Sequence, residues 1–312
     1  MDGVLIIDKP AGITSHDVVA RVRRILKTRR IGHTGTLDPF ATGVMVILVG
    51  KATRLAQFLD KDAKEYEAVV RFGFETDTGD LTGNLKFQVS GFKFQVSDSK
   101  TVSIEEIKSV LENFRGEIEQ TPPMYSAKKV NGKKLYEFAR KGIEIERKSV
   151  KVMIYELQIT NYKLKEKTDN FGLWTLDFGL KVSCSAGTYI RTLAQDIGRK
   201  FGVGAHLAEL RRTRAGKFEI SNAVTLEELE KIVAAEKLGE ILISMNEAVS
   251  HLPEIGLSAE EINKTKNGIK LEIESAEIAD SGFCRMTKDT NLIAIGFYDA
   301  AEKIIQPKLV LV

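Results

Sequence analysis

The period of the hydrophobic positions changes several times along the chain, and each change marks an element. Val4 to Asp8 is a continuous apolar run that stops at Lys9-Pro10-Ala11-Gly12, which predicts a short buried strand and a turn. Behind Ser15, a residue suited to an N-cap, Val18, Val19, Val22, Ile25 and Leu26 recur at helical spacing. Between Arg30 and Gly43 the periodicity disappears into a stretch dense in Gly, Thr and Pro, bounded on both sides by firm elements. That is the pattern of a functional loop on a rigid scaffold. Val44 to Val49 then reads as a nearly all-apolar strand, Thr53 to Leu59 as a short helix, and Tyr66 to Phe74 as an alternating strand.

Helical spacing returns at Ile104 to Phe114 behind Ser103, at Leu135 to Lys141 before Gly142, at Thr192 to Phe201 before Gly202, and from Leu226 to Val233. Strands are predicted at Val150–Ile159, Leu173–Leu180 and Lys181–Ser185. Beyond Leu252-Pro253 the register changes. A helix at Ala259–Lys266 ends at Gly268, and short strands follow at Ile269–Ile273, Phe283–Thr287, Leu292–Tyr298 and Lys303–Leu311. The expectation is an α/β (α+β) fold, with a mixed, largely antiparallel sheet flanked by helices and loops over residues 1–250 and a small β-barrel over 251–312. The letters KFQVS occur at 86–90 and again at 93–97, too short a repeat for a solenoid, and read as a duplicated strand or hairpin insertion.

A length of 312 residues accommodates two such unequal domains, and 43% hydrophobic with 29% charged residues excludes wholesale disorder. The net charge of +3 says little, but its distribution says more. Residues 1–55 carry nine Lys/Arg against four acids, 121–151 nine against three, and 191–217 seven against two. Residues 226–280 reverse the sign, with thirteen acids and five bases. Basic surface concentrated in the first two thirds suits a polyanionic partner, although a solvated helix face is the common fate of any single basic run. The N-terminus lacks a basic flank and a small-residue cleavage pattern, and no stretch reaches the ~18 apolar residues of a membrane helix. Cys184, Cys284 and four scattered His form no close ligand pair, so the chain reads as cytoplasmic, reduced and metal-free.

Two segments carry candidate chemistry. In Gly32 to Gly43, Asp38 is fixed in direction by Pro39, and Gly35 and Gly43 leave room for a large group to approach. A carboxylate there, ionised beside an Arg, would serve as nucleophile or base, yet Asp-Pro is also a common turn pair, and the letters alone favour the turn. In Cys184 to Leu193, Arg191 stands where a helix begins, against the macrodipole, which is best explained by a neighbouring carboxylate or phosphate. Tyr66 by itself reads as core. Gly43 to Ala52 fails as a phosphate loop, with six residues between its glycines and Ala52 in place of Ser/Thr, and Thr76 to Asp80 has too few carboxylates for calcium.

The blocks GVLIIDKPAGITS, GHTGTLDPFATGVMVILVGKATR, KEYEAVVRFGFETDTGD, TPPMYSAKKVNGKKLYEFARKG, CSAGTYIRTLAQDIG and LRRTRAGKF closely resemble, in order and spacing, the TruB-type tRNA pseudouridine synthases, and Leu252 to Val312 resembles the PUA domain that follows them. The resemblance implies isomerisation of uridine 55 in the tRNA T loop by a monomeric enzyme without cofactor. Asp38 would be the nucleophile, Tyr66 the residue that stacks on the base and accepts a proton, and Arg191 the partner of the carboxylate. His33 would fill the gap left by the extruded base. Further RNA contacts would come from Lys9, Tyr189, Lys128, Lys129, Lys133, Arg211 and Arg212. A guide-RNA-dependent synthase shares these motifs, but the compact chain without long basic tails favours a stand-alone enzyme. A non-catalytic RNA-binding or tRNA-folding protein would account for the basic segments but not for Asp38, Tyr66 and Arg191 together.

Overall fold

The structure, a computed structural model, describes residues 1–88, 103–130, 132–168, 174–272 and 281–312. The KFQVS repeat falls largely outside the described residues. The fold is mixed α+β, as expected, and its centre is a nine-stranded sheet. Seven strands run in the order Gly3–Lys9, Thr42–Val49, Ala205–Ala215, Lys64–Phe72, Trp174–Cys184, Val150–Thr168 and Gly116–Gln120. All these neighbours pair antiparallel except Thr42–Val49 with Ala205–Ala215.

The all-apolar strand Thr42–Val49 is explained by cover on both faces. Alternate residues Val44, Val46 and Leu48 pack in a cluster with Leu292, Ile295, Leu309 and Leu311 of the C-terminal sheet. Met45, Ile47 and Val49 point the other way, onto Val18, Val19 and Val22 of the helix Ser15–Ile25 and Leu226 and Leu229 of the helix Leu226–Ala234. The C-terminal strands form a five-stranded sheet curled into a half barrel, in the order Glu254–Gly256, Gly282–Lys288, Asn291–Asp299, Ile304–Val310 and Leu271–Glu272.

Several elements depart from the sequence expectation. The expected strands Leu173–Leu180 and Lys181–Ser185 are one strand, and Thr53–Leu59 divides into a 3₁₀ turn, Gly50–Leu55, and a short helix, Ala56–Leu59. The first helix is capped by Thr14, not Ser15: Thr14 and Asp17 form a reciprocal capping box. Ser15 is thereby free for another task. Its hydroxyl donates to the Leu37 carbonyl at 3.1 Å and accepts from the Leu37 N–H at 2.9 Å, tying the Asp38 loop to the helix. Part of the aperiodic loop is itself a strand, Ile31–Thr34, which pairs with Val46–Val49. The largest omission is the strand Ala205–Ala215, which lies in mid-sheet.

That strand shares one edge of Thr42–Val49 with Ile31–Thr34. Ile31–Thr34 takes Val46 to Val49, and Ala205–Ala215 takes Thr42 and Gly43. A fork opens between them, and the Asp38 loop crosses it. Among the described residues, no helix is long and apolar enough to cross a membrane.

Gly43 shows how tightly the fork is packed. Its φ is +102°, and a Cβ there would stand 2.1 Å from the Arg212 carbonyl oxygen. Gly43→Ala should therefore lower stability by about 3 kcal/mol, through both left-handed backbone strain and the clash, as read by urea melts against wild type.

Candidate active site

A cavity of about 490 Å³ opens at the fork, within the range that holds a small ligand or one extruded nucleotide. His33, Asp38, Lys64, Tyr66, Lys128, Tyr189, Arg191 and Arg212 are among its lining residues. The structure thus gathers Asp38, Tyr66 and Arg191, separated by up to 153 positions in sequence, around one space.

Arg191 explains its own unfavourable place at the start of the helix Ile190–Phe201. Nη2 donates to Asp38 Oδ1 at 3.0 Å and Nε lies 2.8 Å from Oδ2, so the guanidinium faces the carboxylate through two close contacts. Nη1 donates to the Thr78 carbonyl at 2.7 Å and Nη2 to that of Tyr125 at 2.7 Å, while Asp80 Oδ2 lies 3.9 Å from Nη1. The Arg191 side chain is only 4% exposed, against 31% for that of Asp38. One end of the pair is locked inside and the other faces the cavity. Burial pushes the Asp38 carboxyl up from its ordinary value and Asp80 pushes the same way, while Arg191 pulls it down.

Asp80, Thr78 and Tyr125 escaped the sequence reading. Asp80 looked like a turn residue, and it does close a turn: its Oδ1 accepts from the Thr78 and Thr82 hydroxyls at 2.9 and 2.6 Å and from the Thr82 N–H at 2.9 Å. Nothing local reveals that the same turn also carries the second carboxylate facing Arg191. The helix start is held by Gln120, which is buried, accepts from the Tyr189 N–H at 2.9 Å and donates to the Tyr189 carbonyl at 3.3 Å.

Tyr66 is 7% exposed and is flanked across the sheet by Val182 on one side and Arg212 on the other. His33 stacks edge-on against His16, with ring centroids 5.7 Å apart. Burial, followed by the neighbouring His16, pushes the His33 imidazole down toward its neutral form.

Two of the residues expected to touch RNA lie inside instead. Lys9 is fully buried, and its Nζ donates to the carbonyls of Pro10, Pro39 and Ala41 at 2.9, 3.2 and 2.6 Å, bracing the Asp38 loop from beneath. Burial pulls its ammonium down to about 8. Arg212 is 1% exposed and donates to the Val44 and Gly35 carbonyls. Both head groups are enclosed, although Arg212 also lines the cavity. Arg211, on the opposite face of the same strand, is paired with Asp8 through two contacts of 3.1 and 2.7 Å. Lys129 and Lys133 lie on an exposed two-stranded hairpin, Lys129–Val130 with Lys133–Lys134, outside the cavity lining.

Residues 23–190 match the profile of the TruB family pseudouridylate synthase N-terminal domain, and residues 191–250 that of the tRNA pseudouridylate synthase B C-terminal domain. The chain belongs to the TruB family of pseudouridylate synthases, which makes it an isomerase. It is 46% identical over 273 residues to the tRNA pseudouridine synthase B of Geobacillus thermodenitrificans, covering 88% of this chain and 86% of that one. It is 39% identical over 315 residues to that of Bacillus velezensis, covering 100% and 98%. Among solved structures, it resembles a chain of an H/ACA ribonucleoprotein bound to a substrate RNA containing 2'-deoxyuridine, with a TM-score of 0.72 at 26% identity over 99% of this chain and 85% of that one.

The Asp38–Arg191 fork makes a testable demand on stability. Breaking a fully buried pair costs about 3–5 kcal/mol. Because water reaches part of Asp38, about 2 kcal/mol is expected for Arg191→Gln at pH 7. Burial already holds the folded-state carboxyl above that of the unfolded chain, and without the guanidinium it titrates higher still. The folded state then holds a proton that the unfolded chain has released, so the deficit shrinks as pH falls and grows as pH rises through the raised value. Urea melts at pH 5 and pH 7 should show this slope in Arg191→Gln and lose it in the double variant with Asp38→Asn.

Proposed function

We propose that this protein converts uridine 55 in the T loop of tRNA to pseudouridine, with Asp38 as the nucleophile. The observation that carries the reading is the Asp38–Arg191 fork at the edge of a cavity sized for one extruded nucleotide, with Tyr66 lining the same space. A base paired or stacked inside folded RNA must leave its stack to meet a carboxylate there. In the overall reaction the bond from the ribose carbon to N1 breaks and a bond from that carbon to C5 forms. A proton leaves C5 and one arrives at N1, so reactant and product contain the same atoms and no redox partner is required.

Each residue has a role in this scheme. Asp38 supplies the attacking oxygen, and Arg191 aims the carboxylate and favours its charged form. Tyr66 stacks against the extruded base and exchanges its proton. His33, which also lines the cavity, fills the gap that the base leaves. Lys128, Lys129 and Lys133 contact phosphates of the T stem-loop, Tyr189 touches the RNA at the cavity wall, and residues 251–312 form a second RNA-binding unit. The relatives at 39–46% identity carry the name of the tRNA enzyme, whereas the likeness to a ribonucleoprotein chain stands at 26%, which favours the stand-alone reading.

Asp38→Asn tests the central claim. It should bind tRNA within about threefold of wild type and form no pseudouridine, as read by chemical mapping of the transcript; turnover near the wild-type rate would remove Asp38 from the chemistry. Wild type should modify position 55 and leave a transcript with cytidine there unmodified. The lysines make a separate prediction. Neutralising Lys128, Lys129 or Lys133 one at a time should each reduce the slope of log affinity against log salt by about one, measured by filter binding of tRNA.

A further inference from the structure

Beneath the cavity lies a cation without a counter-ion. Arg212 is 1% exposed, Nε donates to the Val44 carbonyl at 2.7 Å, and Nη2 donates to that of Gly35 at 2.9 Å. Nη1 is equally shut off from water and has no acceptor. Among the described residues, no carboxylate lies within ion-pair distance of this guanidinium. A buried N–H left unpaired on a charged group is costly, and a native site that keeps one needs a reason.

The local architecture is arranged around this side chain. A Cβ at Gly35 would come within 3.2 Å of Nη1, and Gly43 packs on the Arg212 backbone, so the two glycines of the Asp38 loop make room for it. Across the antiparallel ladder Arg212 stands directly opposite Tyr66, and its guanidinium lies beside the phenol hydroxyl. The ionisable groups that act most on Tyr66 are Arg212, Cys184 from the strand on its other side and Asp38 from the loop, while Lys64, two positions along the same strand, lines the same cavity with its ammonium bound to the Asp60 and Asp62 carbonyls. Burial pushes the Cys184 thiol up to about 11, so it stays neutral, and the charge of Asp38 disfavours a second anion nearby. Of these three, only Arg212 favours a phenolate.

We propose that Arg212 is a positioning residue that acts through Tyr66, serving as the counter-ion of a transient Tyr66 phenolate so that Tyr66 both gives and takes a proton in the isomerisation. This rests on the reading of Tyr66 given above. Burial holds Tyr66 as a phenol at rest, ready to donate. Once the bond from ribose to N1 has broken, the phenol O–H gives its proton to N1. The phenolate that remains faces Arg212, whose free N–H gains an anionic acceptor. After C5 has joined the ribose carbon, the proton on C5 passes to the phenolate and restores the phenol. One proton is given and one is taken, so no external acid or base is consumed.

Arg212→Gln, Arg212→Lys and Tyr66→Phe test the proposal, each measured for tRNA affinity and for single-turnover rate across pH. Arg212→Gln should bind tRNA within about threefold of wild type and lose about 100-fold in rate, the scale of a proton-transfer contribution. Its remaining activity should rise toward alkaline pH, and Arg212→Lys, which keeps the charge, should fall between the two. Placing a fluorinated, more acidic tyrosine at position 66 should recover at least tenfold of the rate lost in Arg212→Gln. A rate within threefold of wild type, or a loss that neither pH nor the fluorinated tyrosine relieves, overturns the proposal and leaves Arg212 a structural brace. Should Arg212→Gln fail to fold, as read by circular dichroism, the pH profile of Arg212→Lys and its rescue by the same tyrosine decide in the same way. The underlying reading fails separately: Tyr66→Phe at full rate would remove Tyr66 from the reaction whatever Arg212 does.

Discussion

The structure depends on burying the Arg191 guanidinium at the first turn of a helix. That position repels a cation and solvates it poorly, so the fold must surround it with acceptors. The Thr78 and Tyr125 carbonyls take two of its hydrogen bonds, and the turn carrying Thr78 also sets Asp80 toward it. What remains is a fork aimed at the cavity, and Asp38 completes it. The carboxylate is held by the electrostatic requirement of its partner, which accounts for the order of an aperiodic loop.

The loop is also held mechanically. Ser15 clamps Leu37 to the first helix, the buried Lys9 ammonium gathers the carbonyls of Pro39 and Ala41, and Arg212 takes those of Gly35 and Val44. Lys9, Lys64 and Arg212 lie close under the cavity and donate to backbone carbonyls, and among the described residues no carboxylate lies within ion-pair distance of any of the three. The cavity therefore presents the Asp38 carboxylate above a positively charged floor. Such a floor suits chemistry in which negative charge moves from a carboxylate onto a departing base and back.

The reading of the sequence was most complete where local rules govern. The first strand, the first helix, the all-apolar strand and the helix before Gly202 announce themselves through period and a left-handed glycine. Ala205–Ala215 is not legible there, because Arg211, Arg212 and Arg214 give a mid-sheet strand the letters of a basic surface run. Their charges are met across the sheet, by Asp8 for Arg211, by Glu65 for Arg214 and by backbone carbonyls for Arg212. Lys9 was misplaced for the same reason: its letter says surface, and its three carbonyl acceptors are distant or hidden in a turn. Asp80 is hidden by its turn, whose hydrogen bonds are a sufficient local account of an aspartate.

The sequence by itself determined most of the element types, the loop that carries Asp38 and, through ordered motif blocks, the family. These are properties of short segments, in which backbone preference and side-chain period act within a few residues. Only the tertiary structure decided which charges meet. Asp38 and Arg191 are 153 positions apart, and Tyr66 and Arg212 become neighbours through strand register. Electrostatic partnership depends on distance through space and on exclusion of water, and folding alone sets both.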